Sequence, residues 1–471
     1  MNRNFQFSTF SFQFFTIFVP YSKKMSSGIK DLTQGSIFRQ LTTLAFPLMA
    51  TSLIQMAYNL TDMAWVGRLG SESAAAVGTG GLLMWLTSSI ALLSKVSAEI
   101  TVGQSIGAGK LDEAKLYASH TTTLAFIIGL VIACILFLGA EPIISFFELD
   151  DRVTTDAVKY LRIVSTAQPF TFMILTFSGS YNASGKSRIP FYLISTGLVM
   201  NMTLDPLLIY GFEMGVPGAA IATCLSQGVV CMLFVWQMKR PNGILNRFPY
   251  FVKLRKKYLF RIIRIGLPVT LMNVLFALIN TYLARVASVF GGHIGITSQT
   301  TGGQIEGLTW HTSIGFSTAL GAFVAQNYGA GQIDRIKKAY RYTLFCMMSL
   351  GALMTVCFLF AGKQIFGLFI PEQRAVIAGG EYLVIMGVSQ VFMTIEITTQ
   401  GMFNGVGKTV PPSIISIVLN SLRIPLAILL ASVMGITGVW WAISISSIIK
   451  GIISPVWFRL IARKIRQNVS N

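Results

Sequence analysis

Seven ionisable residues fall inside otherwise apolar stretches of this chain: Asp62, Lys95, Glu99, Asp205, Glu306, Glu396 and Arg423. An ionisable group near the centre of a lipid bilayer costs a few kcal/mol even on the lenient insertion scale, so each is a candidate for chemistry. Asp62 and Asp205 stand out. Both fall in the outer part of their spans, at similar depth, with no basic residue nearby in sequence. Asn201 precedes Asp205 by one helical turn and shares its face. Tyr160, one or two turns into the fourth span, and Thr223, at the top of the sixth, reach the same level. Two carboxylates, an amide, a hydroxyl and a phenol suit a hard cation such as Na+, or a proton held between the acids. Lys95 and Glu99 are four apart, a spacing that lets them pair on one helix.

The elements that must position these groups follow from composition. The 471 residues are 53% hydrophobic and 12% charged, with mean hydropathy +0.64; soluble domains carry about 25% charged residues. Apolar runs of about 17 to 25 residues, the length that crosses a hydrocarbon core, recur about twelve times, from 38–66 to 436–460. The expected fold is an all-α polytopic membrane protein of two six-helix lobes. Its parts are an extension at 1–27, a first lobe at 28–238, a connector at 239–259, a second lobe at 260–460 and a tail at 461–471. Met25 offers a second start, and no small-residue cleavage site marks a signal peptide.

The net charge of +19 raises the question of nucleic acid, and the distribution answers it. With alternating sides, only Arg68, Arg152, Lys363 and Arg374 fall in loops opposite the termini, so the excess of the 37 Lys and Arg lies on the terminal side. This is the positive-inside pattern, which predicts cytoplasmic termini. Basic residues of the connector, densest at Lys253 to Lys257, are read as anchors touching anionic lipid headgroups, with no nucleic-acid partner.

The two lobes repeat each other. Thr79-Gly80-Gly81, Gln104, Gly107-Ala108-Gly109 and Asp112 recur 222 positions later as Thr301-Gly302-Gly303, Gln326, Gly329-Ala330-Gly331 and Asp334. Gln168, Gly179, Asn182, Gly185 and Lys186 likewise map onto Gln390, Gly401, Asn404, Gly407 and Lys408. A fixed-period repeat means one structural unit per copy. The acids break it: aligning the span prolines puts Asp62 on Leu283 and Asp205 on Ile424. The second lobe carries Glu306, Glu396 and Arg423 instead. Shared positions are read as scaffold, and the unmatched acids as the place of energy coupling.

At these residues the chain resembles the multidrug and toxic compound extrusion (MATE) transporters. The resemblance rests on PLMATSLIQMAYNLTDMAWVG (47–67), QSIGAGK (104–110), NMTLDPLLIYG (201–211), GVPGAAIAT (215–223), QNYGAG (326–331) and GMFNGVGKT (401–409). It implies a V-shaped pair of bundles that exports organic cations and drugs in exchange for H+ or Na+, and that acts as a monomer in the bacterial inner membrane without a cofactor. Within the family the chain looks most like the DinF-type prokaryotic branch. That likeness carries the first-helix acid onto Asp62, the fifth-helix pair onto Asn201 and Asp205, the sixth-helix hydroxyl onto Thr223 and the fourth-helix phenol onto Tyr160. Na+, if it is the coupling ion, would sit at Asp62, Asn201, Asp205 and Thr223. The fourth-helix Asn of some members stands here as Ser178, and the NorM-type acid of the seventh span is missing around Val274 to Ala277. Gln55, Asn59, Ser178, Asn182, Glu306, Glu396 and Arg423 are further candidate transport residues.

Two rival classes remain. Lipid-linked oligosaccharide flippases of the same superfamily would call for cavity cations to meet a pyrophosphate. A membrane enzyme would call for metal or nucleophile spacing, yet His120, His293 and His311 are scattered and the five Cys all lie in apolar spans without metal or redox spacing.

Overall fold

Residues 29–240, 244–246 and 248–470 are described by the computed structural model, with 58–60, 246 and 461–470 described by backbone alone. The extension at 1–27 lies outside them. The first bundle comprises α1 (Ile37–Gly67), α2 (Ser71–Gly107), α3 (Leu111–Leu138), the short α4 (Ala140–Ser145), α5 (Asp151–Ser165), α6 (Gln168–Ala183), α7 (Arg188–Pro206) and α8 (Gly215–Lys239). The continuous helical stretch Lys256–Gly329 breaks at Gly292, whose φ of 56° and ψ of −152° are not helical. It therefore supplies α9 (256–291) and α10 (293–329). The second bundle continues with α11 (Ile333–Gly367), α12 (Gln373–Gly405), α13 (Val410–Ser421), α14 (Arg423–Met434) and α15 (Ile436–Ser470). Pairing α5 with α6 and α13 with α14 as single broken spans gives twelve crossings among the described residues, six per bundle, as the apolar runs predict.

The helices form because hydrocarbon offers no partner for a backbone N–H or C=O, so each span must satisfy its own. Where a single span breaks, a proline stands close by. Pro169 opens α6 after the step at Thr166–Ala167, a position at which its missing N–H costs nothing. Pro206 ends α7, and the chain runs on as one π-helical turn, Leu207–Gly211. Turns of this kind often mark functional sites in helices; this one begins two residues after Asp205.

Burial is inverted relative to a soluble protein. Phe345, Phe360 and Val433 point outward at 73%, 80% and 83% exposure, while Ser, Thr, Asn and Gln fill the bundle interiors. Lipid is as apolar as leucine, so van der Waals packing and interhelical hydrogen bonds hold such helices together. Phe177, Tyr181 and Phe234 centre one apolar cluster in the first bundle, and Phe358, Phe366 and Trp440 another in the second. A third joins the bundles, with Leu32 and Leu44 packed among Phe323, Phe403 and Phe458. It lies at the face carrying the connector and the entry to α1, hereafter the connector face.

Candidate functional site

α1 and α7 bring Asp62 and Asp205 together. Their carboxyl groups lie within hydrogen-bonding reach of each other. Asn201 donates from Nδ2 to Oδ1 of Asp205 at 2.8 Å, the bond that their spacing of four on one helix allows. That leaves Oδ1 of Asp62 and Oδ2 of Asp205 buried with no donor. Among the described residues no Lys or Arg acts on either acid. A buried carboxylate pair with no base and with one oxygen of each acid lacking a donor needs a proton or a cation to be stable.

α5 places Tyr160, 6% exposed, where its phenol feels both carboxylates. Its ring edge lies against Gly80 of α2, and a Cβ at that position would collide with it. One of the repeated glycines is thus there to admit the tyrosine. Thr223 on α8 donates its hydroxyl to its own helix, to the carbonyl of Ala219 at 3.1 Å. The oxygen of Thr223 keeps lone pairs, but among the described contacts no bond joins it to the acids. Asn201, Asp205, Tyr160 and Asp62 are therefore brought together, while Thr223 is held at the level of its helix backbone. Ser178 is buried on α6 and Gln55 part-buried on α1; the side chain of Asn59 lies outside the described ones.

The second bundle repeats the frame with different chemistry. Tyr382 lies 222 positions after Tyr160, and its ring is pressed against Gly302 as Tyr160 is against Gly80. Its hydroxyl donates to Oε2 of Glu306 at 3.3 Å, and Gln390 donates from Nε2 to Oε1 of Glu306 at 3.1 Å. In the first bundle Gln168 makes the matching contact, from Nε2 to the sulfur of Met84 at 2.9 Å. Glu306 thus replaces a methionine in a duplicated setting.

Two basic groups offset the acids there. Glu396 accepts from Ser416 at 2.9 Å and pairs with Lys450 Nζ at 2.9 Å. Arg423 donates to Ser446 at 3.1 Å and to Ser447 at 3.0 Å, and acts electrostatically on both Glu306 and Glu396. Lys450, 5% exposed, was not among the seven ionisable residues named from sequence, although the cost of burying it should have flagged it. Tyr382 was also missed; the 222-residue offset from Tyr160 would have found it.

Near the connector face, Glu99 is 7% exposed, with Lys95 acting on it along the helix and Asn182 against it. His120 rests on the ring of Tyr258 at 4.6 Å between centroids with Nδ1 on the Leu116 carbonyl, a packing role.

The family model MatE matches the chain twice, over residues 47–207 and 268–429. The probable multidrug resistance protein YoeA of Bacillus subtilis is 26% identical over 423 residues, 87% of this chain and 90% of that protein. The probable multidrug resistance protein NorM of Thermotoga maritima is 26% identical over 424 residues, 86% and 88% of the two chains. Among solved structures, a multidrug resistance MATE family transporter of the MOP superfamily in an outward-facing conformation superposes with a TM-score of 0.87 at 24% identity. That match covers 94% of this chain and 99% of the other.

Proposed function

Because this chain belongs to the MatE family of membrane transporters, we propose that it exports amphiphilic organic cations and drugs by antiport with H+ or Na+, with the coupling ion held in the first bundle. One observation carries the reading: one oxygen of Asp62 and one of Asp205 are buried and lack any donor, and among the described residues no basic group acts on either acid. A proton or Na+ between them removes the repulsion of two like charges in a medium that screens poorly. Asn201 orients one carboxylate, and Tyr160 closes the site from the α5 side.

Such a site drives transport only if the ion binds the two conformations of the protein with different free energy. Ion and substrate then couple through that equilibrium, reciprocally for binding. Two bundles related by a repeat supply the rocking that alternates access. The positive-inside pattern supports a reading in which the connector face and both termini lie in the cytoplasm of a bacterial cell and the acid pair lies toward the outside, where H+ or Na+ is abundant. The related proteins named for multidrug resistance support a small-molecule cargo, and a single copy holds the complete acid pair. Lys450 and Arg423 are engaged by Glu396, Ser446 and Ser447, so the second bundle offers a pyrophosphate no uncommitted cation among those two.

The test is dye or tracer efflux from proteoliposomes at fixed membrane potential, with the pH and Na+ gradients collapsed one at a time. Loss of efflux with one gradient names the ion. Efflux that ignores both gradients overturns the proposal.

A further inference from the structure

The repeated glutamines of the two Q-x-x-G-A-G segments are more than scaffold. Gln104 of α2 donates from Nε2 to the carbonyl of Gly405 in the second bundle at 3.0 Å. Gln326 of α10 donates from Nε2 to the carbonyl of Ala183 in the first bundle at 2.6 Å. The donors are 222 apart, and so are the acceptors. Each bundle therefore reaches into the other by the same bond, and both bonds lie at the connector face.

The acceptor halves of the two amides are also used. Gln104 Oε1 accepts from Arg261 of α9 at 2.8 Å. Gln326 Oε1 accepts from the backbone N–H of Leu32 at 3.0 Å, in the segment that leads into α1. That segment is bound to both bundles: Lys30 N–H donates to the Ser184 carbonyl, and Asn327 and Arg335 donate to the Leu32 carbonyl at 3.1 and 3.2 Å. Leu32 itself is fully buried.

Two more repeated residues let the helices come this close. A Cβ on Gly107 would collide with the carbonyl oxygen of Gln326, and a Cβ on Gly329 would collide with that of Gln104. Only glycine permits such an approach. Motif and contact thus coincide: in each copy the glutamine supplies the amide, and the glycine three residues on seats against the backbone of the other copy's glutamine.

We propose that Gln104 and Gln326 are paired, pseudo-symmetric clasps that close the connector face, and that this face opens in transport only when both release. The assignment of that face to the cytoplasm, and hence to substrate entry, rests on the transport reading above; the clasp itself does not. Each amide bridges the bundles in this closed arrangement, so removing it is expected to favour the open state without touching the acid pair.

The experiment uses the full chain in nanodiscs, with the five native cysteines replaced by alanine in a background first required to transport. Spin labels go at Asp112 and Asp334, whose side chains are 97% and 91% exposed at the starts of α3 and α11. Pulsed dipolar spectroscopy then reads the separation of the bundles. In Gln104→Ala/Gln326→Ala the population at longer distance is expected to rise roughly tenfold, the effect of losing a few net-favourable hydrogen bonds. Gln326→Glu keeps the acceptor for the Leu32 N–H and loses the donor to the Ala183 carbonyl, and is expected to shift the same way. Gly329→Ala, which prevents seating without removing a bond, is a third route to the same shift. Unchanged distances in correctly assembled variants overturn the clasp whatever ion drives transport. A shift in distance together with efflux indifferent to both gradients upholds the clasp and overturns only the coupling proposal.

Discussion

Gln390 holds Glu306 through a 3.1 Å bond to Oε1. In the first bundle the matching glutamine, Gln168, holds the sulfur of Met84 instead. One frame, used twice, carries a carboxylate in one copy and a thioether in the other. The converse holds for Asp62 and Asp205, which face each other in the first bundle while their equivalents Leu283 and Ile424 are apolar. Acids are thus present in both bundles but differently arranged: uncompensated in the first, and set among Arg423 and Lys450 in the second.

Asp62→Asn is expected to abolish gradient-driven efflux, a loss of at least about tenfold on the scale of ordinary coupling energies, with the protein still in the membrane. The check is resistance of an efflux-deficient host alongside a membrane immunoblot. Full resistance would remove Asp62 from the mechanism.

Leu283→Ala, at the position equivalent to Asp62, is expected to leave turnover per folded molecule and its dependence on the gradient largely intact. Leu283 is fully buried in the second bundle, so the substitution lowers stability; large-to-small core changes of this kind cost about 2–5 kcal/mol in soluble hosts. Thermal unfolding and proteoliposome efflux, measured on the same preparation, separate the two effects. If gradient dependence is lost as it is in Asp62→Asn, the asymmetry between bundles has no functional meaning.

Gly80→Ala and Gly302→Ala each drive a methyl group into a tyrosine ring, Tyr160 in one bundle and Tyr382 in the other. Displacing Tyr160 disturbs the acid pair, so Gly80→Ala is expected to raise the Na+ or H+ concentration needed for half-maximal efflux by several-fold more than Gly302→Ala does. Equal effects from the two would argue that the tyrosines only pack.

Lys450→Met leaves the Glu396 carboxylate buried without its 2.9 Å partner. Stranding one member of a buried pair typically costs about 3–5 kcal/mol, so a marked fall in melting temperature is expected. The double variant Lys450→Met/Glu396→Gln is expected to recover most of it. A double variant as unstable as the single one would show that the lysine acts through packing and not charge.

Much of this molecule was legible in its chain. The spans follow from apolar length, because hydrocarbon thickness sets how many residues a helix needs. Asn201 and Asp205 pair because a spacing of four puts them on one face. Other relationships were not legible. Lys450 pairs with Glu396 from a different helix, and Thr223 spends its hydroxyl on its own backbone, because rotamer and helix rotation are set by neighbours. The repeated glutamines and glycines read in the sequence as internal scaffold, since a repeat reports that a residue is retained and not what it touches.

The sequence by itself determined the medium, the number of crossings, the duplication and the two acids without counterparts, all consequences of local composition and fixed spacing. Tertiary structure alone decided that Asp62 and Asp205 lie together with no base acting on them among the described residues, that Glu396 is neutralised by Lys450, and that Gln104 and Gln326 reach across to the opposite bundle. The reason is physical. These contacts join residues far apart in the chain, and the docking of one packed helix against another selects them from many partners that local periodicity permits equally.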